Sequence, residues 1–110
     1  MDGDWDLLRE VVGIFAADSP LLMAEIQGAI GEGNPIQLNR AAHALKGSVA
    51  NFGARAAFEA ALKLEMMGKQ GDMADATEFF TVLEGEIESL QSSLAAFIGG
   101  TEHEDTDRRG

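Results

Sequence analysis

Both prolines of this chain stand directly behind a helix-capping residue, at Ser19-Pro20 and Asn34-Pro35. A capping side chain followed by proline at the first helical position is a start signal, because proline lacks the N–H that the first turn leaves unbonded anyway. Between these signals and a few glycines, apolar residues recur at spacings of three and four, the helical period. Five helical segments follow. The first spans about 4–17, with Trp5, Leu8, Val12 and Phe15 on one stripe. The second carries Leu22, Ile26, Ala29 and Ile30 and ends at Gly31-Glu32-Gly33. The third opens at Pro35 and holds Leu38, Ala41, Ala42, Leu45, Val49 and Phe52. The fourth follows Gly53, with Ala54, Phe58, Ala61, Leu62 and Met66, and ends in a turn from Gly68 to Gly71. The fifth is capped by Asp72, carries Phe79, Phe80, Leu83, Ile87, Leu90, Leu94 and Phe97, and stops at Gly99-Gly100.

Short links between amphipathic helices favour antiparallel neighbours. The expected fold is all-α: an up-and-down four-helix bundle with an additional N-terminal helix packed across one end. Residues 1–100 would form this one domain, and the acidic, polar segment 101–110 a disordered tail.

Charge narrows the partners. The net charge is −11, and six of the eight Lys and Arg residues lie before residue 101, against fifteen acids there. Nucleic acid is an unsuitable partner for such a surface, since phosphates must be met by arrayed cations. No apolar run reaches the length of about 20 residues that a membrane helix needs. The acidic start Met1-Asp2-Gly3-Asp4 does not resemble a signal peptide, and there is no cysteine for a disulfide or a thiolate site. The default expectation is a cytoplasmic monomer without a membrane partner.

Against that acidic background, two cations flank one histidine in Arg40-Ala41-Ala42-His43-Ala44-Leu45-Lys46-Gly47-Ser48. At about 100° per residue His43 lies nearly opposite the core residue Leu45, and so points to water. Arg40, Lys46 and Gly47 lie one turn from it. Gly47, costly inside a helix, leaves one flank of the imidazole open to a large group. Lys46 is placed to neutralise a phosphoryl oxygen. Glu65 falls on the inward stripe of the following helix, four residues after Ala61. With the two helices antiparallel about Gly53, Glu65 and His43 meet across the groove. A carboxylate accepting from Nδ1–H leaves the lone pair on Nε2, which is what a nucleophilic imidazole requires.

The run from Ala42 to Ala54 resembles the signature of histidine phosphotransfer (HPt) domains. It carries His-x-Leu-Lys-Gly, a small residue at Ser48, and Phe52-Gly53 about nine residues after the histidine. The five-helix plan is similar to that family over about residues 4–98. The resemblance implies that His43 is the phosphoacceptor, that Lys46 assists the phosphoryl group and that Gly47 gives access. Glu65 is similar to the glutamate of chemotaxis-type modules, where many family members carry glutamine. The implied function is a phosphorelay intermediate, exchanging phosphoryl groups with the aspartate of a receiver domain on a response regulator or hybrid histidine kinase. The receiver would supply Mg²⁺, and this chain would need no cofactor of its own. It carries no Gly-rich nucleotide loop, so it is expected to be a phosphocarrier and not an enzyme with its own ATP site.

Two other readings compete. An acidic helical module could dock a partner through an apolar patch without chemistry. Leu7, Val11 and Ile14 form a second apolar row on the first helix and serve either reading as contact residues. A carboxylate-bridged di-metal site would need Glu-x-x-His pairs. Arg40 and Gly100 occupy the required positions before His43 and His103, which leaves only a loose cluster at Glu102, His103, Glu104 and Asp105.

Overall fold

The computed structural model describes the backbone of residues 2–109 and the side chains of residues 6–97. Among these residues the chain is all-helical: α1 is Asp2–Glu32, α2 Pro35–Ala50, α3 Arg55–Gln70 and α4 Ala76–Arg109. Each helix packs on the next in chain order, and α4 returns to α1. No helix among the described residues is long and apolar enough to cross a membrane.

The Asn34-Pro35 signal works as a cap. The Asn34 side chain accepts from the backbone N–H of Gln37 at 3.1 Å, with Pro35 as the first residue of α2. The Ser19-Pro20 signal does not. The separate N-terminal helix expected over 4–17 is instead the first half of α1, which runs unbroken through Pro20. The reason lies in the tertiary contact. Ser19 is fully buried, and its hydroxyl accepts from Gln91 Nε2 of α4 at 2.8 Å, so it is engaged across the fold rather than on the local backbone. Pro20 deprives the Ala16 carbonyl of its usual donor. Both residues are exposed, so the unbonded carbonyl lies on the solvent side of the helix.

Three further boundaries differ from the sequence expectation. Asp72 accepts from the N–H of Ala74, closing a local turn, and α4 begins only at Ala76. The stretch after Gly68 is helical to Gln70, and the left-handed residue that ends α3 is Gly71, at φ 76°. The helical backbone of α4 also passes Gly99-Gly100. The side chains of Trp5 and of the segment 101–110 lie outside the described residues.

The core sits where all four helices converge. Leu38, Leu45 and Val49 of α2, Leu64 of α3, Ile26 of α1 and Leu83 of α4 are wholly buried. Each such side chain contributes about 1.5–3 kcal/mol of transfer free energy. Half of the ten buried residues of α2 and α3 are alanines, namely Ala41, Ala42, Ala57, Ala60 and Ala61. Such small side chains let the two backbones approach closely. Gly53, at φ 62°, turns the chain between them in a conformation that a side chain would strain. Phe52 of that turn packs edge-on against Phe15 of α1, with ring centroids 5.2 Å apart. The first half of α1 is thereby held beside the α2–α3 turn.

Candidate functional site

Because Leu38, Ala41, Ala42, Leu45 and Val49 take the inward face of α2, His43 is left on its outer face. Its side chain is 66% exposed. Across the groove, Glu65 reaches back from α3, and its Oε2 lies 2.8 Å from His43 Nδ1. The second carboxylate oxygen, Oε1, lies 2.8 Å from Lys46 Nζ. That contact is an ion pair rather than a well-aligned hydrogen bond, since Oε1 has no partner of good hydrogen-bond geometry. The Lys46 ammonium also stands 5.8 Å from the centre of the Phe58 ring, a cation–π distance. One carboxylate therefore contacts both the imidazole and the lysine, and the Phe58 ring adds a second contact to the lysine.

Partial burial pushes the Glu65 carboxyl up. The contacts from Lys46 and then His43, together with their charges, outweigh this and hold it below the usual glutamate value. An ionised Glu65 is an acceptor only, so the proton between it and the ring resides on Nδ1. In the neutral form of the ring Nε2 then carries the lone pair, and it has no hydrogen-bond partner among the described residues.

The lowered value has a consequence for stability. Unfolded, Glu65 titrates in the ordinary glutamate range; folded, it gives up its proton at lower pH. Its contribution is present above the unfolded value and is lost as pH falls through the folded one. The stability difference between the wild type and Glu65→Gln, measured by urea titration, is expected to be largest near neutrality. It should shrink as the solution is acidified below the folded value. A difference that stays constant into acid would show that the carboxylate is not held by these cations.

The remaining candidates are placed as follows. Gly47 is exposed, and a Cβ built on it meets nothing within 4 Å, so no packing inside the fold requires glycine there. Arg40 is exposed one turn before His43 but is not among the partners of Glu65. On α1, Leu7 and Ile14 are 60% and 55% exposed, while Val11 is half-buried. Leu7, Leu8 and Val11 border a shallow groove of about 370 Å³ with Asn51 and Phe52, at the far end of α2 from Pro35. Two exposed hydrophobes lie on the helices that carry the histidine and the glutamate: Ile36 falls on no apolar stripe of the sequence, and Met66, expected on the inward stripe of its helix, is exposed because Ala57, Ala60, Ala61, Leu64 and Gly68 take the inward face of α3. Ile36 lies two turns before His43 on the same face of α2, and Met66 follows Glu65 on α3. The spacing of seven between Ile36 and His43 is the signal that points to the first. Among the described residues no group of three or more His, Asp or Glu side chains is arranged to hold a metal ion. The cluster around His103 lies outside the described side chains.

The geometry offers an imidazole on an open helix face, with a carboxylate against its Nδ1 and a cation one turn away. The comparisons with known proteins agree with that chemistry. The family model described as the Hpt domain matches residues 10–93. No curated protein and no solved structure matches the chain.

Proposed function

This chain belongs to the Hpt domain family, and we propose that His43 is the residue through which it performs the histidine phosphotransfer of two-component signalling. Hpt domains are phosphocarrier modules that work with receiver and kinase partners. The observation that carries the assignment is the contact between Glu65 Oε2 and His43 Nδ1 at 2.8 Å on an exposed helix face. In the proposed step the Nε2 lone pair attacks phosphorus of an aspartyl phosphate on a receiver. The N–P bond forms, the P–O bond breaks, and the aspartate leaves as a carboxylate. The ring becomes positive, and Glu65 stabilises it through the proton retained on Nδ1. Lys46 lies one turn away and meets the phosphoryl oxygens, while Gly47 leaves room for the receiver's approach. A divalent cation, where the step needs one, would be supplied from the receiver's acidic pocket. The reverse step returns the group to a receiver aspartate.

The helices are read as an up-and-down bundle whose first helix extends beside the α2–α3 turn. Docking then centres on His43, with Ile36 and Met66 near it and Leu7, Val11 and Ile14 as the apolar contribution of α1. A transient interface of this kind combines an apolar centre with a charged rim. Leu7 is the cleanest probe, since it is exposed and makes no core contact. Leu7→Asp is expected to weaken receiver binding about tenfold and leave the melting temperature unchanged. Unaltered binding would place the receiver elsewhere. A module that only docks its partner would use the same exposed α1 residues, but would carry no phosphate.

The deciding experiment mixes the full chain with a panel of phosphorylated receiver domains. Phosphate appearing on the chain, labile in acid and stable in alkali, supports relay through histidine. A chain that binds receivers but never takes up phosphate would leave the docking reading alone standing.

A further inference from the structure

Asn39 precedes His43 by one turn on α2, and its Nδ2 donates to the backbone carbonyl of Glu65 at 2.9 Å. The bond thus reaches the very residue whose side chain holds the imidazole. One turn further along α3, Gly68 is buried against α2. A Cβ at Gly68 would lie 2.6 Å from the Pro35 carbonyl oxygen and 2.6 Å from the Asn39 nitrogen. Here, unlike at Gly47, backbone meets backbone, and glycine is what permits it.

These contacts do something the core cannot. The alanines and leucines between α2 and α3 attract without direction, and they tolerate small axial slides. A slide of one residue is about 1.5 Å. Such a slide would lengthen the 2.8 Å contact between His43 and Glu65 and pull it out of line, and a hydrogen bond weakens steeply as it loses alignment. The Asn39 bond is directional and sets the axial register. The Gly68 contact sets the separation. The first acts one turn before the reacting histidine, and the second between one and two turns before it.

We infer that Asn39, seated against α3 where Gly68 lets the backbones touch, is a positioning residue that fixes Glu65 relative to His43 and so selects the imidazole tautomer. This rests on the orienting role of Glu65 proposed above. Asn39 touches neither the phosphoryl group nor the ring.

The test compares Asn39→Ala, Glu65→Gln and the double variant in the ¹⁵N-labelled full chain. It reads the His43 ring nitrogen shifts and the rate of transfer from a phosphorylated receiver. Glu65→Gln is expected to move the ring shifts. Asn39→Ala should move them in the same direction and slow transfer about tenfold, the scale of a misplaced reacting group. The double variant should be no slower than Glu65→Gln alone, because both substitutions remove one coupled arrangement. If Glu65→Gln moves the shifts and Asn39→Ala does not, the positioning role is overturned and the Glu65 reading survives. Independent, multiplying effects would overturn it equally. If Glu65→Gln leaves the shifts in place, the orienting role of Glu65 fails, and that of Asn39 with it. Should Asn39→Ala lose helical circular dichroism, Asn39→Leu, of similar bulk and without a donor, carries the same comparison.

Discussion

His43→Gln is expected to abolish phosphoryl acceptance while leaving the fold intact. Glutamine has no nucleophilic nitrogen, because its amide lone pair is delocalised into the carbonyl. It can still donate to Glu65, so the carboxylate is not orphaned. The replaced ring is largely exposed, and surface substitutions of this kind change stability by about 0.5 kcal/mol or less. Radiolabelled transfer from a phosphorylated receiver, read beside a thermal melt, separates the two effects. Acid-labile phosphate persisting on the variant would move the acceptor away from His43, with His103 the other histidine in the chain.

The second large effect is a contrast between two glycines of similar appearance in the sequence. Gly68→Ala is expected to destabilise the protein by about 1–3 kcal/mol, the usual cost of forcing atoms into a filled interface. The atoms in its way are backbone, at 2.6 and 2.9 Å, and cannot rotate aside. Gly47→Ala should stabilise by up to about 1 kcal/mol, since the helix gains a better former and nothing stands within 4 Å. Urea midpoints of the two variants should therefore move in opposite directions. A neutral Gly68→Ala would mean that α2 and α3 lie further apart than described.

That contrast also shows what was legible in the sequence. The helical period marked the inward face of α2, and with it the outward histidine, because Leu38, Ala41, Ala42, Leu45 and Val49 satisfy one stripe completely. The contact of Glu65 with His43 was legible as a charge near an apolar row, but the row itself was misplaced: the inward face of α3 is Ala57, Ala60, Ala61, Leu64 and Gly68, and Glu65 stands at its edge with Met66 exposed beside it. Gly68 and Asn39 were not. Their meaning depends on which turn of α2 faces which turn of α3, and spacing within one helix carries no information about that. Ser19-Pro20 misled because a capping residue and a buried hydroxyl look identical in sequence. Only Gln91, 72 positions away, shows which one Ser19 is. Asp72 likewise supplied the right kind of local bond at a site four residues before its helix begins.

The residues assigned to chemistry and its support, Asn39, His43, Lys46, Gly47, Phe58, Glu65 and Gly68, all belong to α2 and α3. The exposed leucine and isoleucine assigned to partner contact include Leu7 and Ile14 on α1. Part of the proposed contact surface is thus encoded apart from the reacting hairpin, although Ile36 and Met66 lie on that hairpin. Substitutions on the outer face of α1 are expected to alter receiver choice while the reacting hairpin is inherited unchanged. A duplicated copy could acquire a distinct wiring within a signalling network through surface substitutions alone.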